Sequence, residues 1–254
     1  MTCIGSAKAR KAMEAEYEEI RRFAEATLGE MPEVIAQLYK LNKAAALEQF
    51  KENNILYLGR KALPKKVLAL VAMSVALANG PKESAMIHFK LAKRFGASND
   101  EIVDAIRATK MALMSSTLDA VSTIVDMGKE ELLNKDKGSE AILEKLKAQT
   151  GAVPERLSIT AKFSTSLLEE HVRERDELLM KPKALDRKYV FAIAYAVSVS
   201  IRDRECQKVY LTQFLNNGGT AAELEDIIAV TRFITGNRAF VNGLDILRSM
   251  NNGR

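Results

Sequence analysis

Apolar and charged positions interleave at helical spacing from Ala7 to Thr27, and two unbroken apolar runs stand out further along. Val67–Ala78 and Tyr189–Ser200 are each 12 residues long. That is short of the roughly 20 residues of a membrane span and suited to a helix buried on every side. Pro32 suits the first turn of a helix. A further helix is expected over Glu83–Phe95, closed by Gly96 as a left-handed cap. Ser98-Asn-Asp-Glu101 follows at once and reads as a capping box for the next helix. The same device recurs as Gly218 and Thr220-Ala-Ala-Glu223.

That recurrence is part of a longer one. At an offset of 122 positions Gly29, Pro32 and Glu33 fall on Gly151, Pro154 and Glu155, and Lys61-Ala-Leu63 falls on Lys183-Ala-Leu185. Lys66 meets Lys188, Glu83 meets Glu205 and Gly96 meets Gly218, while Glu101, Asp104 and Ile106 meet Glu223, Asp226 and Ile228. No gap is needed and the two apolar runs coincide. The chain therefore reads as two copies of one helical unit, residues 1–128 and 129–254, with a seam near Lys129–Gly138. The expected fold class is all-α.

Composition narrows the function. Hydrophobic residues make up 47% and charged residues 28%, which fits a globular chain. With no Trp, 5 Pro and 13 Gly the mixture favours helices. No run is long enough for a membrane, and the N-terminus turns charged too soon for a signal peptide, so a cytoplasmic location is expected. The net charge is +5. Its basic residues alternate with acidic ones, as in AEYEEIRRFAEA, so a nucleic-acid partner is not expected. Cys3 and Cys206 form no disulfide framework. With two widely spaced histidines they offer no metal-ligand spacing, and no glycine loop suggests a nucleotide, so no cofactor is expected.

The order of apolar helix, Asn79-Gly80, a short helix with His88, Gly96 and a capped helix resembles the carboxymuconolactone decarboxylase family, which includes the alkylhydroperoxidase D proteins. The resemblance covers residues 32–124 and 154–246. It implies a homo-oligomer, here a trimer of two-unit chains imitating a hexamer of single units. In the family's redox branch the helix after Asn-Gly opens with Cys-x-x-Cys. A His follows four residues after the second Cys, and a Glu lies twelve before the first. The second thiol attacks peroxide, the first resolves it, and His with Glu moves protons. Here Pro81 and Ser84 stand at the cysteine positions of the first copy, with His88 kept and Ala69 at the Glu position. In the second copy Asp203, Cys206, Tyr210 and Phe191 stand at the four positions. Neither copy carries the paired thiols.

Five candidates remain. His88 is either a general base beside Ser84, one helical turn away, or an inherited helix histidine satisfied by a neighbour. Cys206 is either a reactive thiol, with Arg202 lowering its pKa against Glu205 and Asp203, or a small buried hydrophobe. Glu83 and Glu205 serve proton transfer, or else a shared salt bridge or a solvated helix face. Met73, Met86, Met111 and Met114 line an apolar pocket or fill the core. His171, after two glutamates, reads as a solvated face. Three functions are therefore open: an enzyme acting without thiols on a small anionic or lactone substrate near His88, a single-cysteine peroxidase using Cys206, or a non-catalytic scaffold or ligand-binding protein.

Overall fold

The computed structural model describes residues 3–133, 137–151 and 153–253, so the expected seam is covered except at 134–136. Among the described residues there are helices and no strand, and the all-α expectation holds. The first copy comprises α1 (Cys3–Leu28), α2 (Glu33–Leu41), α3 (Lys43–Asn53), α4 (Lys65–Asn79), α5 (Lys82–Arg94), α6 (Asn99–Thr117) and α7 (Ser122–Asp126). The second comprises α8 (Glu140–Thr150), α9 (Glu155–Phe163), α10 (Thr165–Arg175), α11 (Arg187–Ser200), α12 (Arg204–Asn216), α13 (Ala221–Asn242) and α14 (Leu244–Asn252). The bounds of α2, α3 and α5 carry onto α9, α10 and α12 at the sequence offset without adjustment. Even the π-helical turn that ends α3, Asn54–Leu58, recurs after α10 as Asp176–Met180.

The punctuation read from the sequence is in place. Gly96 and Gly218 adopt φ of 86° and 84°, a region costly for any residue with a Cβ. The Ser98 hydroxyl accepts from the Glu101 N–H at 3.1 Å, and the Glu101 carboxylate accepts from the Ser98 N–H at 2.8 Å. Thr220 and Glu223 repeat the exchange at 3.2 and 2.9 Å. The apolar runs form the cores. Every residue from Val67 to Ala76 in α4 and from Val190 to Ser198 in α11 is buried.

The compact units are divided differently from the sequence copies. One consists of Met1–Ala97 with Glu225–Arg254, the other of Ser98–Leu224. Each copy thus contributes its capped helix to the unit built around the other copy's core helix. In the contiguous unit α6 packs on α11. There the Asp104 carboxylate accepts from three successive backbone N–H groups, Lys183, Ala184 and Leu185, at 3.1, 2.8 and 3.0 Å. In the discontinuous unit Asp226 of α13 accepts from the Ala62 and Leu63 N–H groups at 2.8 and 3.0 Å, and from Arg60 Nε at 2.6 Å. The recurrence of Asp and of Lys-Ala-Leu at one offset has this cause: a carboxylate caps the loop ahead of a core helix, satisfying donors that the chain cannot pair locally.

Candidate functional site

In the discontinuous unit a cavity of about 100 Å³ is walled by α1, α2, α3, the π turn, α5 and α13. Most of the lining is apolar, with Phe23, Phe50, Leu91 and Phe233 among it, and no Asp, Glu, Lys or Arg takes part. The π turn brings Tyr57 inward, 1% exposed. Its ring meets that of His88 edge to face, with centroids 5.4 Å apart. His88 is 5% exposed. Neither the Tyr57 hydroxyl nor His88 Nδ1 has a hydrogen-bond partner among the described residues, an arrangement that buried polar groups rarely show. Gln49 Nε2 donates to Asn237 Oδ1 at 3.1 Å on the same wall.

This geometry revises two expectations. Burial lowers the His88 pKa to about 4, so the imidazole is neutral at physiological pH and a weak base, not one poised near neutrality. Ser84 is buried one turn before it and lines the cavity, yet no hydrogen bond joins the two. Nor is His88 satisfied by a neighbour, the other role open to it. Glu83 is exposed and takes no part in the lining.

The contiguous unit holds the counterpart, a cavity of about 40 Å³ between α6, α8, α9, α10 and α12. Position for position its chemistry differs: Cys206 for Ser84, Tyr210 for His88, His171 for Gln49, Arg175 for Asn53, Arg156 for Val34 and Ser115 for Asn237. Arg156 is 4% exposed and fully engaged. Its Nη1 and Nη2 donate to the Asp203 carboxylate at 2.8 and 2.6 Å, Nη2 also meets Asp119 at 3.0 Å, Nη1 donates to the Ser115 carbonyl at 2.9 Å, and Nε donates to Glu205. Glu205 therefore makes a salt bridge, one of the roles open to it. The Tyr210 and Ser115 hydroxyls are 3.2 Å apart.

Cys206 is buried, and burial, reinforced by Asp203, pushes its thiol far above the ordinary range. The nearest guanidinium is that of Arg156, whose Nη1 lies 3.8 Å from Sγ; Arg202, expected to activate the thiol, is exposed. Arg202 occupies the position of Gly80 and is held at φ 65°, a conformation unfavourable for a side chain with a Cβ. His171 is not on a solvated face. It lines the cavity, and burial with Arg175 and Arg156 nearby lowers its pKa to about 4. Of the four methionines, Met111 lines this cavity, Met73 is core, Met86 is exposed, and none reaches the cavity of His88.

Sequence reasoning missed Tyr57, Asn237, Arg156 and Arg175. The repeat offset carried a signal for two of them, since it sets a charged Arg156 on Val34 and Arg175 on Asn53, but a mismatch in a repeat does not by itself indicate a cavity.

The chain belongs to the carboxymuconolactone decarboxylase family, whose model matches residues 44–125 and 167–249. Among solved structures it is similar to a candidate gamma-carboxymuconolactone decarboxylase subunit from Burkholderia xenovorans LB400, with a TM-score of 0.79 over 92% of this chain and 97% of that one. At 16% identity the likeness shows the shared fold. No curated protein matches the chain.

Proposed function

We propose that the cavity of the discontinuous unit binds a small, neutral, largely apolar carbonyl compound of lactone type, with His88 and Tyr57 as its polar contacts. The carrying observation is a lining without a charged residue, in which two buried polar atoms lack partners. An anionic substrate would be stripped of water there without compensation, so of the two classes expected from the sequence the lactone fits better. A neutral imidazole and a phenol can each donate to a carbonyl oxygen and polarise it. Ser84 borders the cavity without a bonded base, which favours binding and polarisation over nucleophilic attack.

A peroxidase reaction at Cys206 draws no support from a buried thiol kept protonated. Self-association belongs to this reading as well. The family resemblance suggests a trimer, and Leu77 and Met86, 43% and 45% exposed in one unit, are apolar surface that an interface would cover. Light scattering would test it, a monomer counting against.

Thermal unfolding with a series of small lactones and the matching dicarboxylates tests the binding. The neutral compounds should raise the melting temperature in a saturable way and the dicarboxylates should not. His88→Leu should abolish the shift. If the dianions alone stabilise the protein, or His88→Leu responds like the parent, the proposal fails.

A further inference from the structure

The second cavity is lined by a cation whose guanidinium is only partly engaged by its surroundings. Arg175 is 7% exposed. Its Nη1 donates to Gln149 Oε1 at 3.1 Å and to Asp176 Oδ1 at 3.2 Å. Nε and Nη2, the side of the guanidinium fork best suited to a carboxylate, have no partner among the described residues. Asp176 thus meets one nitrogen only, and it does not line the cavity. The charges in the lining are Arg156, Arg175 and Glu205. Glu205 is already held by Arg156, and Arg175 has its ion pair with Asp176 through one nitrogen, so its opposite edge is the part left open to a ligand. The remaining polar groups are a protonated thiol, two hydroxyls and the His171 imidazole, none of them repelling an anion.

The equivalent cavity of the other unit shows that the fold does not require this. Asn53 and Gln49 stand there in place of Arg175 and His171, and the lining is uncharged. Two equivalent scaffold positions have therefore been filled with different chemistry. The unused donors of Arg175 are not among the fully buried unpartnered atoms, so an acceptor entering the cavity can reach them. About 40 Å³ exceeds the roughly 10–15 Å³ that one buried water needs, which leaves room for an anion of a few heavy atoms.

We propose that this cavity is a binding site for a small monocarboxylate of formate or acetate size, held side-on by Nε and Nη2 of Arg175 with His171 beside it. The site is separate from the lactone-type cavity and does not rest on that reading. With the anion seated, the repulsion that Arg175 exerts on His171 is offset, so the imidazole becomes easier to protonate.

The chain's two histidines make the test direct, since the proton spectrum carries two imidazole signals, one per cavity. The full-length protein is titrated with sodium formate, acetate, phosphate and chloride at matched ionic strength. Formate and acetate should shift the His171 signal saturably and raise its pKa, leaving His88 unmoved. Arg175→Gln should weaken this about ten- to a hundredfold. Arg175→Lys, which keeps the charge and loses the fork, should be weakened too, and serves if the glutamine variant does not fold. Saturation by phosphate but not by the carboxylates would overturn the assignment of ligand class. Absence of saturation, or an undiminished response in a folded Arg175 variant, would overturn the site.

Discussion

His88 and His171 sit at unrelated positions in the repeat, yet burial has moved both the same way, to about 4 from an ordinary value of 6.5. Between those values the unfolded chain binds protons that the folded chain refuses. Each histidine therefore contributes stability that is complete above about pH 6.5 and is lost as pH falls toward 4, at about 1.4 kcal/mol per pH unit. Urea unfolding followed from pH 7 to 4.5 should show this limb. His88→Leu should remove about half of it and leave stability at pH 7 no lower, because the variant also removes an unpartnered buried nitrogen. A limb unchanged in the variant would contradict the burial of His88. The sequence located His88 on the right helix but could not show its state. Spacing on a helix says which residues share a face, and the pKa depends on what packs over that face, here Tyr57 from a turn some thirty residues earlier.

Elements were far more legible than side-chain states. Helix stops, capping boxes and core helices are local signals, and Gly96, Ser98–Glu101 and Val67–Ala76 appear where the pattern set them. The partner of each capped helix was not legible. Asp104 and Asp226 recur in the sequence, but nothing in a single copy tells that the acceptor on α6 serves residues 183–185. Asp104→Ala leaves three backbone donors without an acceptor, and should cost about 3 kcal/mol in urea unfolding. Asp104→Asn, which keeps an oxygen, should cost less. Backbone hydrogen bonding lowers the Asp104 pKa against the cost of burial, so its share of stability is kept above the usual carboxylate range and lost only in strong acid, below the histidine limb.

At the scale of the whole chain, the repeat seam and the packing boundary part company. The expected units 1–128 and 129–254 follow the repeat, whereas the compact units follow the exchange of α6 and α13. A fragment spanning 98–224 contains every helix of its unit, its cavity and the Asp104 clamp. It should give a cooperative thermal transition by circular dichroism. A fragment of residues 1–128 lacks Asp226 and Phe233 and should not. A cooperative transition in the second fragment and none in the first would show that the repeat copy, not the exchanged unit, is what folds. Charge pattern and periodicity could not reveal this, because they mark which face of a helix is buried and not which helix covers it.

The broken continuity of one unit sets an order of events on the ribosome. Residues 98–224 can close around their core while synthesis is still under way. The walls around His88 wait for Phe233 and Asn237, so the cavity nearest the start of the message is the last to be sealed.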